Sequence, residues 1–303
     1  MSCLSRSALT CLTFVILGLG TDAVGQSVVV PNSLESVEGN DGVILINVAR
    51  LQQVFAASQF SALGGPRLIT GMAFRPDIEQ PPFTLTSPNV QISLSTTSRS
   101  PDGLSTTFSE NVGADDTVVF SGSLTLSTTI SGPPGGPNAF DMIINFANPF
   151  LYDPAVGNLL FDIRSQSWAV SPGFGFLDIQ NTPGDSVSSV LQITSGPTFT
   201  HNLGLVTQFS YSPAAPELIE GLISDISDLV AGSELKPGQA NGLTRPLENA
   251  LRSIDQGKTG PACNQLQDFI DEVIAKTPPL TVASSDKLIA DANAVRFLLA
   301  CGD

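Results

Sequence analysis

The sequence predicts an all-β sandwich of jelly-roll type followed by a small all-α four-helix bundle. Three observations carry this. From Gln26 to about Tyr211 the chain is rich in Ser, Thr, Gly, Pro, Val and Phe, with turn signals at short intervals. Beyond Pro213 the apolar residues change to helical spacing. All four lysines (Lys236, Lys258, Lys276 and Lys287) lie in this second region, and the first carries only arginines. The expected divisions are a leader over 1–25, a β-sandwich over 26–211, a linker over 212–216 and a helical bundle with one disulfide over 217–303.

The leader reads from Arg6, an apolar run from Ala8 to Leu19, and Ala23-Val24-Gly25 as small residues before the cut. This is the pattern of a cleaved secretory signal peptide, with an apolar run too short to span a bilayer. The mature protein is therefore expected to be secreted, without a membrane span. Strand signals follow in "SVVV", "GVILINV", "RLITGMAF", "NVQISLSTT", "DTVVFSGSLTLSTTI", "FDMIINFA", "NLLFDIR", "FGFLDI" and "VTQFSYS". In "FDMIINF", Phe140, Met142, Ile144 and Phe146 share one face while Asp141 and Asn145 share the other, the period-2 mark of a half-buried strand. One segment, "RLQQVFAASQF", reads as a short helix. "SGPPGGPN" must turn.

Four helical stripes close the chain: Leu218–Leu222–Ile226–Leu229, Leu243–Leu247–Leu251–Ile254, Leu266–Phe269–Ile270–Val273 and Leu288–Ala292–Val295–Leu299. Gly257 suits a helix C′ position, and Pro246 opens or bends the second helix. Cys263 lies on the inward stripe of the third helix, and Cys301 continues the fourth. If these two helices form a hairpin turning at "PPLTVAS", the two sulfurs meet. An even pair of cysteines in an exported chain is expected as a disulfide rather than a metal site.

The helical stretch "ELKPGQANGLTRPLENALRSIDQGKTGPACNQLQDFIDEV", with "DANAVRFLLAC", resembles the C-terminal FIMAH-type modules of secreted bacterial proteins over about residues 217–302. The resemblance implies an accessory or interaction role and carries over no catalytic residue. The β-rich part, through "VEGN", "QQVFAASQF" and "AFRPD", is similar to sandwich regions of exported bacterial proteins of PEP-CTERM type. It has no Pro-Glu-Pro motif, terminal apolar helix or arginine cluster, so retention by that route is not expected.

Net charge is −15, from 13 basic against 28 acidic residues, which disfavours nucleic acid as a partner. His201 is the only histidine and sits in "TFTHNLG", read as a loop, so histidine-based hydrolysis lacks its parts. No catalytic residue is assigned. Asp141, Asp162 and Asp178, inside strand-like runs, are the acids a carboxylate-based glycoside hydrolase or lyase would use. No organic cofactor is expected. Calcium is the ion suggested by Glu110, Asp115 and Asp116 around a glycine in "SENVGADDTVV", with Asp77 and Glu79 as a second acidic stretch. Trp168 and Tyr152 are the candidate sugar platforms. The expectation is a secreted, non-enzymatic binding or cell-surface interaction protein for a polysaccharide or cell-envelope component. The alternatives are the carboxylate enzyme and a structural envelope or matrix component.

Overall fold

In the computed structural model, which describes residues 26–78, 80–194, 196–277 and 279–302, a part made mostly of β-sheet is followed by four α-helices. The expected leader and Glu79 lie outside the described residues. Strands are numbered along the chain. One antiparallel sheet runs in the order β1 (Gln26–Val30), β14 (Thr207–Tyr211), β4 (Arg67–Phe74) and β7 (Met142–Tyr152). The larger sheet runs β12 (Thr198–His201), β11 (Val187–Ile193), β3 (Val48–Phe55), β8 (Asn158–Ser165), β5 (Thr84–Thr97) and β6 (Thr117–Ser127). β9 (Ala169–Ser171) pairs with the start of β5. A third sheet joins β13 (Leu203–Leu205), β10 (Leu177–Asn181) and β2 (Asp41–Val43).

The two main sheets share one apolar core. Met72, Ile144 and Phe209 come from the smaller sheet, and Leu51, Phe55, Ile92 and Phe161 from the larger. The Phe55 and Phe209 rings meet edge to face with centroids 5.0 Å apart, a favoured aromatic geometry. The alternation in "FDMIINF" holds: Met142 and Ile144 are buried and Ile143 is exposed.

Two local readings are corrected. "RLQQVFAASQF" is not a helix over its first half, because residues 50–55 belong to the central strand β3 and only Ala57–Leu63 forms a 3₁₀ segment. The cause is that both glutamines of the run are buried and satisfied inside a sheet. Gln53 accepts from the Leu205 amide at 2.7 Å and donates to its carbonyl at 2.9 Å, as a strand neighbour would. Gln52 donates to Asp162 at 2.9 Å. With polar residues inside, the period-2 signal disappears. His201 does not sit in a loop. It ends β12, paired opposite Ser189, with its ring exposed beside Phe199.

The helices are α1 (Ala215–Ala231), α2 (Pro237–Asp255), α3 (Thr259–Ala275) and α4 (Val282–Leu298). Leu222, Ile226, Leu243, Leu247, Leu266, Phe269, Leu288 and Val295 meet in one core, as their spacing requires. Pro246 lies inside α2 and does not open it. Glu217 and Gln239 accept from the backbone amides of Ala214 and Lys236, satisfying donors that begin α1 and α2. Gly257 ends α2 with φ +68, a left-handed conformation that favours glycine. Leu68 of β4 and Leu151 of β7 join the helical core, and Ser212 donates to the Leu68 carbonyl at 2.8 Å, so the helices are seated on the smaller sheet. No helix among the described residues is long and apolar enough to cross a membrane.

Cys263 and Cys301 form the expected disulfide, with Cα atoms 5.6 Å apart and a sequence separation of 38. Closing a loop of that length contributes about 4 kcal/mol in the chain-entropy account. The Cys263→Ala/Cys301→Ala variant should therefore lose up to about 4 kcal/mol of stability in the helical part. The measurement is guanidinium unfolding followed by the helical circular dichroism signal. An unchanged midpoint would show that the crosslink contributes nothing there.

Candidate functional site

The chain leaves β4 at Phe74 and runs beside β10. Asp178 donates its amide to the Arg75 carbonyl at 3.1 Å, Asp77 donates to the Phe176 carbonyl at 3.0 Å, and Pro76 bridges Leu177. This backbone zipper puts the Arg75 and Asp178 side chains face to face. Both are removed from solvent, with Arg75 1% exposed. Asp178 Oδ2 accepts from Arg75 Nε at 2.7 Å and is ion-paired with Nη2 at 2.6 Å. Its Oδ1 accepts from the Gly39 amide at 3.0 Å. Arg75 Nη2 also donates to the Val37 carbonyl at 2.6 Å, and its guanidinium lies 5.0 Å from the Phe140 ring centre. Gly39 admits this approach because a Cβ there would stand 2.1 Å from the Ile179 carbonyl oxygen and 2.3 Å from Asp178 Oδ1.

Glu38, between Val37 and Gly39, turns into the same place. Its Oε1 accepts from the Ile78 amide at 3.0 Å, and its Oε2 is buried with no hydrogen-bond partner among the described residues. Asp77 Oδ1 also accepts from Ile78 at 2.9 Å. Glu38, Asp77 and Asp178 each offer a carboxylate oxygen within 4.8 Å of the others. Oxygens that share one calcium ion lie at most about 5 Å apart, so these three groups fit a single divalent ion. Burial pushes the Glu38 carboxyl up to about 7, the Asp178 charge adds to this, and Arg75 and the Ile78 amide oppose it. Burial likewise raises the Asp178 carboxyl against the pull of Arg75.

A second polar cluster lies on the larger sheet beneath the β5–β6 connection. Asp162, 3% exposed, accepts from Arg50 Nε at 3.0 Å and Nη2 at 2.5 Å, from Gln52 at 2.9 Å and from Arg164 at 3.2 Å. Burial alone would raise its carboxyl, but the Arg50, Gln52 and Arg164 hydrogen bonds outweigh it and the pKa lies below the ordinary aspartate value. Phe108 and Asn111 of the connection cover the cluster. The Arg50 guanidinium sits 4.2 Å from the Phe108 ring centre, and Asn111 donates to Gln52.

The residues singled out in the sequence fare unevenly. Trp168 (9% exposed) and Tyr152 (0% exposed) are in the sandwich core and present no stacking face. Tyr152 packs edge-on to Phe60 and donates to the Gly157 carbonyl at 2.9 Å. Large aromatics gain more from burial than any open platform returns. Glu110 pairs with Arg99 at 3.4 Å, Asp115 accepts from the Thr96 amide at 2.7 Å, and Asp116 is exposed near Asp162. They face different partners, and the three acids brought within reach of one ion among the described residues are Glu38, Asp77 and Asp178 instead. Asp141 accepts from the Thr128 hydroxyl at 2.9 Å and the Thr129 amide at 3.1 Å. Asp162 and Asp178 are each held by a different arginine. Sequence reasoning missed Glu38 and Arg75 as site residues. The only signal for them was an acid before a glycine in "VEGN" and an Arg-Pro-Asp run at a strand end.

No family model matches the chain, and no curated protein matches it in sequence.

Two outcomes follow from this geometry. Arg75→Ala leaves the Asp178 charge buried without its counter-ion and should cost about 3–5 kcal/mol in chemical denaturation; a loss under about 1 kcal/mol would mean that Asp178 is not charged in the folded protein. The Glu38 carboxyl holds its proton more tightly in the folded chain (about 7, against 4.5). Its contribution is therefore fully present below the unfolded value and is lost as pH rises through about 7. In chelated buffer the denaturation midpoint should fall between about pH 5 and about pH 8, and Glu38→Gln should flatten that fall.

Proposed function

We propose that the protein is an exported, non-enzymatic binding or surface-interaction protein, directed to a polysaccharide or cell-envelope component, with the helical module as an accessory part. The observation that carries this reading is that Asp162 and Asp178, the strand acids best suited to catalysis, are occupied as buried ion-pair anchors of Arg50, Arg164 and Arg75. A carboxylate held that way is not available as a nucleophile or as a proton carrier. The jelly-roll reading is supported by the order β1-β14-β4-β7 in one sheet against β3-β8-β5-β6 in the other. That is eight strands in two four-stranded layers, with β11 and β12 added outside β3. The four-helix bundle is supported by α1 and α3 each packing against both α2 and α4. The FIMAH-type likeness of residues 217–302 agrees with such an accessory role.

Calcium belongs to this reading through Glu38, Asp77 and Asp178. An ion there would tie residues 37–39 and 75–78 to β10, and would neutralise the carboxylate charge that Arg75 leaves uncompensated. One observation favours the enzymatic alternative: Glu38, with its pKa raised to about 7 beside two further acids, has the proton affinity of a general acid.

One experiment separates the two. The exported protein is incubated with insoluble polysaccharides and cell envelopes, with calcium and with chelator, and the supernatant is assayed for new reducing ends. Retention without release is expected. Sugar release that Glu38→Gln abolishes would establish the enzyme instead. In parallel, a hundredfold excess of calcium over its dissociation constant should raise the thermal midpoint by about 5–10 °C in the wild type and not in Glu38→Gln.

A further inference from the structure

A groove of about 450 Å³ opens where the ends of the sheets meet the helices, within the size range of ligand sites. Its walls come from the β part and from the helices. Pro66, Leu151 and Val156 belong to the β part, and Val156 is an apolar side chain 73% exposed. Leu299 stands at the end of α4. Asp115 and Asp153 supply the charge, and no residue lining the groove is basic.

Among the described residues each acid's carboxylate accepts a hydrogen bond through one oxygen. Asp115 Oδ1 accepts from the Thr96 amide at 2.7 Å, and Asp153 Oδ1 accepts from the Ala155 amide at 2.9 Å. The cations next in sequence to lining residues each have a hydrogen-bond partner: Arg67 donates to the Pro66 carbonyl at 3.4 Å and Lys258 to Gln256 at 2.8 Å. The α4 wall of the groove is joined to the start of α3 by the Cys263–Cys301 disulfide, one residue beyond Ala300, so this lip is covalently braced.

We infer that this groove is a docking site for a basic, apolar-flanked segment of a partner polypeptide. A lysine or arginine there lays its aliphatic stem along Leu151, Val156 and Leu299 and sets its cation on Asp115 and Asp153. Charge complementarity selects this occupant. A largely apolar groove whose charged lining residues are both acidic, on a chain of net charge −15, selects a cation on a hydrocarbon stem over an anion or a neutral apolar group. This inference is independent of the calcium site, whose residues are not in the groove.

The test is fluorescence anisotropy with a fluorescein-labelled Gly-Leu-Lys-Leu-Gly peptide and the full chain, expressed with its leader and purified oxidised. The peptide should bind, and Asp115→Asn/Asp153→Asn should weaken it at least tenfold, each asparagine keeping an oxygen for the amide it accepts from. Val156→Ser should weaken binding as well. The exposed pair on α3, changed as Asp268→Asn/Asp271→Asn, removes the same charge elsewhere and should leave affinity within twofold. The inference is overturned by absence of binding. It is also overturned by equal weakening from both double variants, which is attraction to the overall charge, or by equal affinity for a peptide with norleucine in place of lysine.

Discussion

The Arg75–Asp178 pair is the contact on which the β part is organised. It joins the end of β4 to β10, and through Val37 and Gly39 it also holds the segment that leads into β2. Two charges withdrawn from water are costly unless each finds several partners, and here the aspartate accepts hydrogen bonds from Arg75 Nε and the Gly39 amide and ion-pairs with Nη2, while the guanidinium donates to a carbonyl and faces a ring, its Nη1 alone having no hydrogen-bond partner among the described residues. That density of partners explains the neighbourhood. Gly39 must lack a side chain, and Glu38 is carried into a place where its charge is poorly solvated. The acidic cluster is thus a consequence of the ion pair as much as a site in its own right.

The larger sheet solves a similar problem on its other face. Gln52, Asp162 and Asn111 sit in the interior with their hydrogen bonds made, and the β5–β6 connection lies over them. Val54, Leu160 and Val190 on the sheet pack with Leu104 under the same cover. A sheet with water on one face would alternate simply between apolar and polar residues. Here both faces of the central strands β3 and β8 are covered, and the polar residues of the covered face specify what covers it.

The helical part depends on its crosslink and on its seat. A core drawn from four short helices is small, and Leu68 and Leu151 extend it with apolar surface from the β part. The disulfide fixes the end of α4 beside the start of α3, which also shapes one wall of the groove between the two parts. The crosslink and the acidic groove therefore meet at the same seam.

The sequence by itself determined the change from sheet to helices, the four helical stripes and the pairing of Cys263 with Cys301. Each rests on periodicity or on proximity along a hairpin, which are local properties. It also marked Asp77, Asp162 and Asp178 as acids of interest, but not what they touch. It misread residues 50–55, Trp168 and Tyr152, because a polar side chain satisfied inside a sheet and an aromatic filling a core leave no local pattern. Only the tertiary structure decided that Glu38, Asp77 and Asp178 share one place, since residues 75–77, just past the end of β4, run beside β10 from about a hundred residues away (Arg75 and Asp178 are 103 apart). It alone decided that Asp115 and Asp153 line one groove. Convergence of charges from distant segments is set by sheet order and register, and no spacing along the chain encodes it.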